Sequence, residues 1–111
     1  MRTSSAKAKG RLAAAELKAL ILYYYPSLTE DDVRLTPSGL NGPDILLSAE
    51  ARRQFPFSVE VKNQERLKLW DAIAQAEANK AGSDIPLLVF RRNRSKLYVC
   101  LEANEFLKIV S

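Results

Sequence analysis

From Ser5 to about Tyr25 apolar residues recur at spacings of three and four. Leu12, Ala15, Ala19, Leu20 and Tyr23 share one stripe, with Glu16 set among them. That period predicts a helix with this stripe turned inward, and Pro26 stops it. A loop follows, with Pro37, Gly39, Gly42 and Pro43. Asp44–Leu47 (DILL) predicts a short strand, and Ser48 suits the N-cap of one helical turn running to Gln54. From Phe57 the rhythm changes to two. Phe57, Val59 and Val61 alternate with Ser58, Glu60 and Lys62, as in a strand with one apolar face.

Residues 65–80 return to helical spacing and end at Gly82. Trp70 falls there beside Leu67, Ile73 and Ala74, a grouping expected to be core. Pro86–Phe90 (PLLVF) is continuously apolar, which predicts a strand buried on both faces. A turn at Asn93–Ser95 leads into a further strand, Lys96–Leu101, and a short helix, Ala103–Ile109, closes the pattern. The order α-β-β-α-β-β-α predicts an α/β domain. The helix of residues 65–80 is long enough to cross over between parallel neighbouring strands.

The 111 residues suit a single domain, residues 1–111, and 47% of them are apolar, enough for a real core. No run approaches the ~18 apolar residues of a membrane span. The basic start lacks the apolar segment of a signal peptide, so the expected location is cytoplasmic. There is no histidine and one cysteine. Histidine-based general bases and nearly every zinc site are excluded, and Cys100 is expected to be a small buried apolar residue. Any chemistry here falls to carboxylates, lysines and a hard cation.

The net charge is +4, and its distribution is uneven. Arg2, Lys7, Lys9 and Arg11 crowd the first eleven residues, where there is no acid. Arg91, Arg92, Arg94 and Lys96 crowd one later turn. Two basic clusters on so small a chain are compatible with phosphate contact; a solvated face explains them as well.

Three acids and a lysine stand out. Asp44 opens an apolar strand, either to cap the preceding turn or to reach a site. Glu60 and Lys62 share a strand face, as a surface ion pair or as working groups. If the Asp44 strand lies beside theirs, Asp44 and Glu60 can converge on one ion, and such oxygens suit Mg²⁺. Glu16 is a carboxylate in an apolar stripe, which needs a partner unless it sits at the stripe's edge.

Pro43-Asp44, followed by Phe57–Lys62 (FSVEVK), resembles the split motif of the PD-(D/E)XK nuclease superfamily. The run from Ser58 to Trp70 (SVEVKNQERLKLW), continuing through Ala74–Glu77 (AQAE), is similar to small phage-type nucleases described as Holliday-junction-resolvase-like. Pro86–Asn93 (PLLVFRRN) has a counterpart there too. The likeness runs from about Lys9 to Phe106. It implies a restriction-endonuclease-like fold with an αβββαβ-type core, a mixed central sheet of about four strands flanked by helices. Asp44, Glu60 and the backbone carbonyl of Val61 would hold Mg²⁺, with Mn²⁺ able to substitute. Lys62 would act on the attacking water, Glu16 would complete the acidic cluster, and Gln75 would lie near the site.

The same resemblance implies DNA, branched or double-stranded, as the partner. Lys7, Lys9 and Arg11 would grip its backbone from one side, and Arg91, Arg92, Arg94 and Lys96 from another. It further implies a homodimer working in the cytoplasm of a bacterial host, without a membrane or a small-molecule cofactor. The reaction would be phosphodiester hydrolysis, structure-selective on branched DNA. Two alternatives stay open: a site-specific double-strand cutter of homing or restriction type, and a non-catalytic DNA-binding module.

Overall fold

A computed structural model describes the backbone of residues 2–111 and the side chains from Ala6 onward; the side chain of Arg2 lies outside the described residues. The elements are α1 (Arg2–Tyr24), β1 (Val33–Leu35), β2 (Ile45–Leu47), α2 (Ala49–Gln54), β3 (Phe57–Asn63), α3 (Leu69–Ala78), β4 (Ile85–Arg91), β5 (Tyr98–Cys100) and α4 (Ala103–Val110). The α/β class expected from the pattern is the one observed. The sheet, however, comes in two pieces: β1 and β2 form an antiparallel pair, and β3, β4 and β5 form a mixed three-stranded sheet in that order.

β3 and β4 run parallel, with Glu60 opposite Leu88 and Lys62 opposite Phe90, so α3 is the crossover. β5 returns antiparallel beside β4. The pairing of β2 corrects the expectation that the Asp44 strand lies directly against β3. Its ladder partner is β1, a strand of three residues hidden between acids and a proline, too short for alternation to register. Asp44 still bonds to β3: its N–H donates to Val59 O at 2.7 Å.

One face of β3–β4 packs on α1. Ala13, Ala14, Leu17 and Ile21 meet Val59, Val61, Leu87 and Val89 in the main core. Val59 and Val89 are fully buried, each such side chain contributing roughly 1.5–3 kcal/mol. The inward stripe of α1 is therefore not the one expected. Leu12, Ala15, Glu16, Ala19, Leu20 and Tyr23 face solvent. From Leu12 to Leu22 the helix is apolar nearly all round, so spacing alone cannot select a face. The sheet takes the side with Ala13 and Ala14, where small side chains permit close approach.

The other face packs on α3 through a smaller cluster, Ala72, Ala76 and Leu88. Trp70 corrects a second expectation: it is 80% exposed, because α3 turns Ala72 and Ala76 to the sheet and a residue two positions before Ala72 lies on the helix's far side. Ser48 caps α2 as anticipated, accepting from Ala51 N–H at 3.1 Å. Cys100 is half-buried beside the α3 cluster. No helix among the described residues is long and apolar enough to cross a membrane.

Candidate active site

Period-two alternation along β3 sends Val59 and Val61 into the α1 core and Ser58, Glu60 and Lys62 to the α3 side. Glu60 is only 4% exposed. Its Oε1 accepts from Asn79 Nδ2 at 3.3 Å, and Lys62 Nζ lies 3.7 Å from its Oε2. Ser58 Oγ accepts the N–H of Ala81 at 3.1 Å, fixing the segment after α3 to the strand that carries Glu60.

Asp44 is pinned from two sides. Its carbonyl accepts from Thr36 N–H at 3.0 Å, and Thr36 Oγ1 donates to Pro43 O at 2.6 Å. Gly42, at φ +107°, takes a backbone conformation open to glycine and turns the chain into Pro43-Asp44. On the other side Asp44 Oδ2 accepts the N–H of Val61 at 2.7 Å. A strand residue points its N–H and C=O to the same edge, so the Val61 carbonyl faces the Asp44 edge of β3.

Burial holds the Asp44 carboxyl above its ordinary pKa, against the lowering influence of the Val61 N–H and of Lys62. Glu60 is raised as well, first by burial and then by the nearby negative charge of Asp44, with Asn79 and Lys62 opposing. Two desolvated carboxyls, one of them pushed up further by the charge of the other, make an environment that favours a cation.

Asp44, Glu60, Lys62 and Gln75 line one open pocket of about 450 Å³. Lys7 and Arg11 of α1 reach its rim, and the 35–40 loop forms its far wall. Arg11 Nη1 donates to Thr36 O at 3.0 Å, tying helix to loop. Asn63 lines the same pocket; its Oδ1 is buried without a hydrogen-bond partner. A larger groove, between α3 and α4, is lined by none of Asp44, Glu60, Lys62 and Gln75.

Glu16 is placed elsewhere. It is half-exposed on α1, its Oε1 2.6 Å from Arg91 Nη1, and it does not line the pocket. Among the described residues no three His, Cys, Asp or Glu side chains gather as a metal cluster, so the acidic pair is Asp44 with Glu60. Arg91 is half-buried and held by Glu16, with its Nε buried and unpaired, while Arg92, Arg94 and Lys96 are exposed. Lys9 is half-buried, and its carbonyl accepts from Asn63 Nδ2 at 3.5 Å.

Sequence reasoning missed what Asn63 and Asn79 do. Asn79, at the C-cap of α3, had a signal, since it follows Gln75 by four residues. Asn63 had none.

Residues 29–111 match the family described as "Phage putative PDDEXK endonuclease". The chain belongs to this family. No curated protein and no solved structure gives a significant match. Asp44, Glu60 and Lys62 lie inside the matched span of the PDDEXK family and Glu16 outside it.

The donor set fits the divalent ion that PD-(D/E)XK nucleases use. Asp44 has a second oxygen beyond the one that takes the Val61 N–H, Glu60 contributes another carboxylate, and the Val61 carbonyl faces the same edge. These are hard oxygen donors, few enough to leave coordination positions to water, as Mg²⁺ prefers.

Proposed function

We propose that this protein is an Mg²⁺-dependent endodeoxyribonuclease that hydrolyses phosphodiester bonds in branched DNA, including Holliday junctions, and works as a homodimer. The observation that carries the nuclease reading is the meeting of Asp44, Glu60 and Lys62 in one pocket, on separate segments joined by the Asp44–Val61 hydrogen bond. Asp44, Glu60 and the Val61 carbonyl would hold the ion, and Mn²⁺ would substitute. When bound, the ion would supply charge stabilisation at the scissile phosphate and lower the pKa of water.

The chain's own groups do the rest. Lys62, held near Glu60, presents its ammonium where negative charge grows on the phosphate, a position that counts most in a water-poor site. Asn79 orients Glu60 by donating to Oε1. Gln75 lines the pocket one helical turn before Asn79, within the reach of a group that steadies water or a phosphate oxygen. Lys7 and Arg11 at the rim attract the DNA backbone, and the exposed Arg92, Arg94 and Lys96 offer a second basic contact. Backbone contacts position a duplex without reading its sequence. The chain displays no arginine- and asparagine-rich recognition helix, which favours selection by DNA shape.

The test is incubation of purified protein with a labelled four-way junction, a fork and a linear duplex, with Mg²⁺ and with EDTA. Junction cleavage in Mg²⁺ that is lost in EDTA is expected. Cutting of one linear sequence alone would replace branch selectivity with a site-specific cutter. Lys62→Ala should bind DNA and fail to cut; DNA binding with no cleavage by the parent protein would leave a binding module.

A further inference from the structure

Trp70 belongs to neither core cluster, and 80% of its surface is exposed. It stands in the first turn of α3, where side chains tilt back toward the helix N-terminus. α3 follows β3, so this end of the helix lies at the C-terminal end of the parallel β3–β4 pair. The loop leading into it, residues 64–68, carries Arg66 and Lys68, both exposed.

That loop is tied to the turn between β4 and β5. Gln64 N–H donates to Arg91 O at 3.1 Å, and Asn93 N–H donates to Glu65 Oε2. Ser95 Oγ closes the turn by accepting from Arg92 N–H at 3.1 Å. Arg66 and Lys68 thus join the exposed Arg92, Arg94 and Lys96 at one end of the sheet. The acids there are Asp71 and Glu65, the second already bonded to the turn. Gln64 also lines the catalytic pocket. Trp70 comes six residues later, at most about 20 Å away by chain length.

We infer that Trp70 stacks on a base of a single-stranded arm leaving the pocket, with Arg66, Lys68 and the 92–96 turn on its phosphates, an assignment that rests on DNA being the partner of this chain. A basic track with an aromatic side chain beside it is how proteins hold unpaired strands, because every base offers a flat face. In a paired duplex those faces are covered by their neighbours, so an indole can stack only where pairing ends. Charge sets the direction of the strand. Farther along α3 the neighbouring groove is lined by Glu77, Glu102 and Glu105, with Lys80 as its one cation. Those acids repel phosphates and leave the loop end as the path. A protein partner fits this end less well, since Arg66, Lys68 and Asp71 surround the indole with charge. The substrate class that follows is a fork or flap with an unpaired arm, held more tightly than a fully paired four-way junction.

Trp70 is the sole tryptophan, so its emission reports on the contact directly. In EDTA, where cleavage plays no part, oligo(dT) should quench Trp70 fluorescence, and a blunt duplex should leave it nearly unchanged. Trp70→Ala should weaken oligo(dT) binding by about 5- to 150-fold, the range of one stacked base, and Trp70→Phe should restore most of that loss. Arg66→Ala and Lys68→Ala should each flatten the slope of log affinity against log salt by about 0.7. Tyr23→Ala, at an exposed aromatic on the outer side of α1, should change neither quenching nor affinity. A splayed fork should bind more tightly than a four-way junction, and Trp70→Ala should erase that preference.

Oligo(dT) that binds without quenching Trp70 overturns the inference, as does Trp70→Ala binding the single strand like the parent. Equal quenching by blunt duplex and single strand overturns it too. Each of these leaves the nuclease reading standing if a branched substrate is still cut in Mg²⁺. Quenching by oligo(dT) in a protein that cuts nothing supports the contact and sinks the nuclease. Absence of binding to any DNA sinks both.

Discussion

The two faces of the β3–β4 pair are built differently. Against α1 the sheet closes over a broad apolar core, with Val59, Val61, Leu87 and Val89 all turned to it. Against α3 the buried cluster is Ala72, Ala76 and Leu88, and the same face carries Glu60, Lys62 and an exposed tryptophan. The α1 face supplies the stability that lets the α3 face hold buried carboxylates. Polar groups buried in a site oppose folding, and a small domain can tolerate them only where another face supports it.

The sharpest way to break that contrast is to remove one carboxylate. Glu60→Gln should lower cleavage in Mg²⁺ by about 10³-fold or more, the scale of losing one preorganised charge in a reacting site, while circular dichroism shows an intact fold. A variant that still cuts within tenfold of the parent would put the chemistry elsewhere.

A matched pair of truncations tests the stability side. Ile21→Ala, in the α1 core, should cost about 2–5 kcal/mol in urea unfolding. Trp70→Ala, far larger in atoms removed, should change the stability of the monomer by no more than about 0.5 kcal/mol. Equal losses would mean that the two faces are not distinct.

The pH dependence sharpens the contrast further. Asp44 and Glu60 have folded pKa values raised above their ordinary 3.8 and 4.5. The folded chain then binds more protons than the unfolded one above that range, so these groups make stability fall as pH rises. Their contribution is fully present below the unfolded values and is lost as pH climbs through the raised folded ones. In metal-free buffer the urea midpoint of the parent should therefore decline more steeply above pH 4 than that of Glu60→Gln. A parallel decline in both would remove the electrostatic strain assigned to the pair.

The smallest effect belongs to Glu16. Its bond to Arg91 is half-exposed, and such pairs contribute about 1 kcal/mol or less. Glu16→Gln should retain cleavage within several-fold. A loss as large as that of Glu60→Gln would return Glu16 to the metal site.

Much of the α3 face was legible in the chain. FSVEVK announces its own geometry, because alternation fixes which side Glu60 and Lys62 share. Gln75 of the following helix lines the pocket with them. The failures have one cause, the neutrality of local pattern where apolar residues are plentiful. Along α1 two apolar stripes compete, and only the shape of the sheet chooses between them. Trp70 looks like core by composition, yet the sheet takes the Ala72 and Ala76 side of the helix and leaves it outward. β1 is three residues long, and Glu16 looked in need of a partner from a metal site when Arg91, 75 residues away, supplies it. Contacts of that span leave no trace in a single sequence.

Asp44 accepts the Val61 N–H with the same carboxylate that faces the pocket, and its own N–H is the link from the β1–β2 hairpin to β3. One residue is thus both rivet and reagent. Deleting its side chain would strand an amide at a sheet edge, so Asp44→Ala would conflate mechanical loosening with lost chemistry. Asp44→Asn keeps an oxygen for Val61 and removes the charge, and the difference between the two variants measures how much of this residue is architecture.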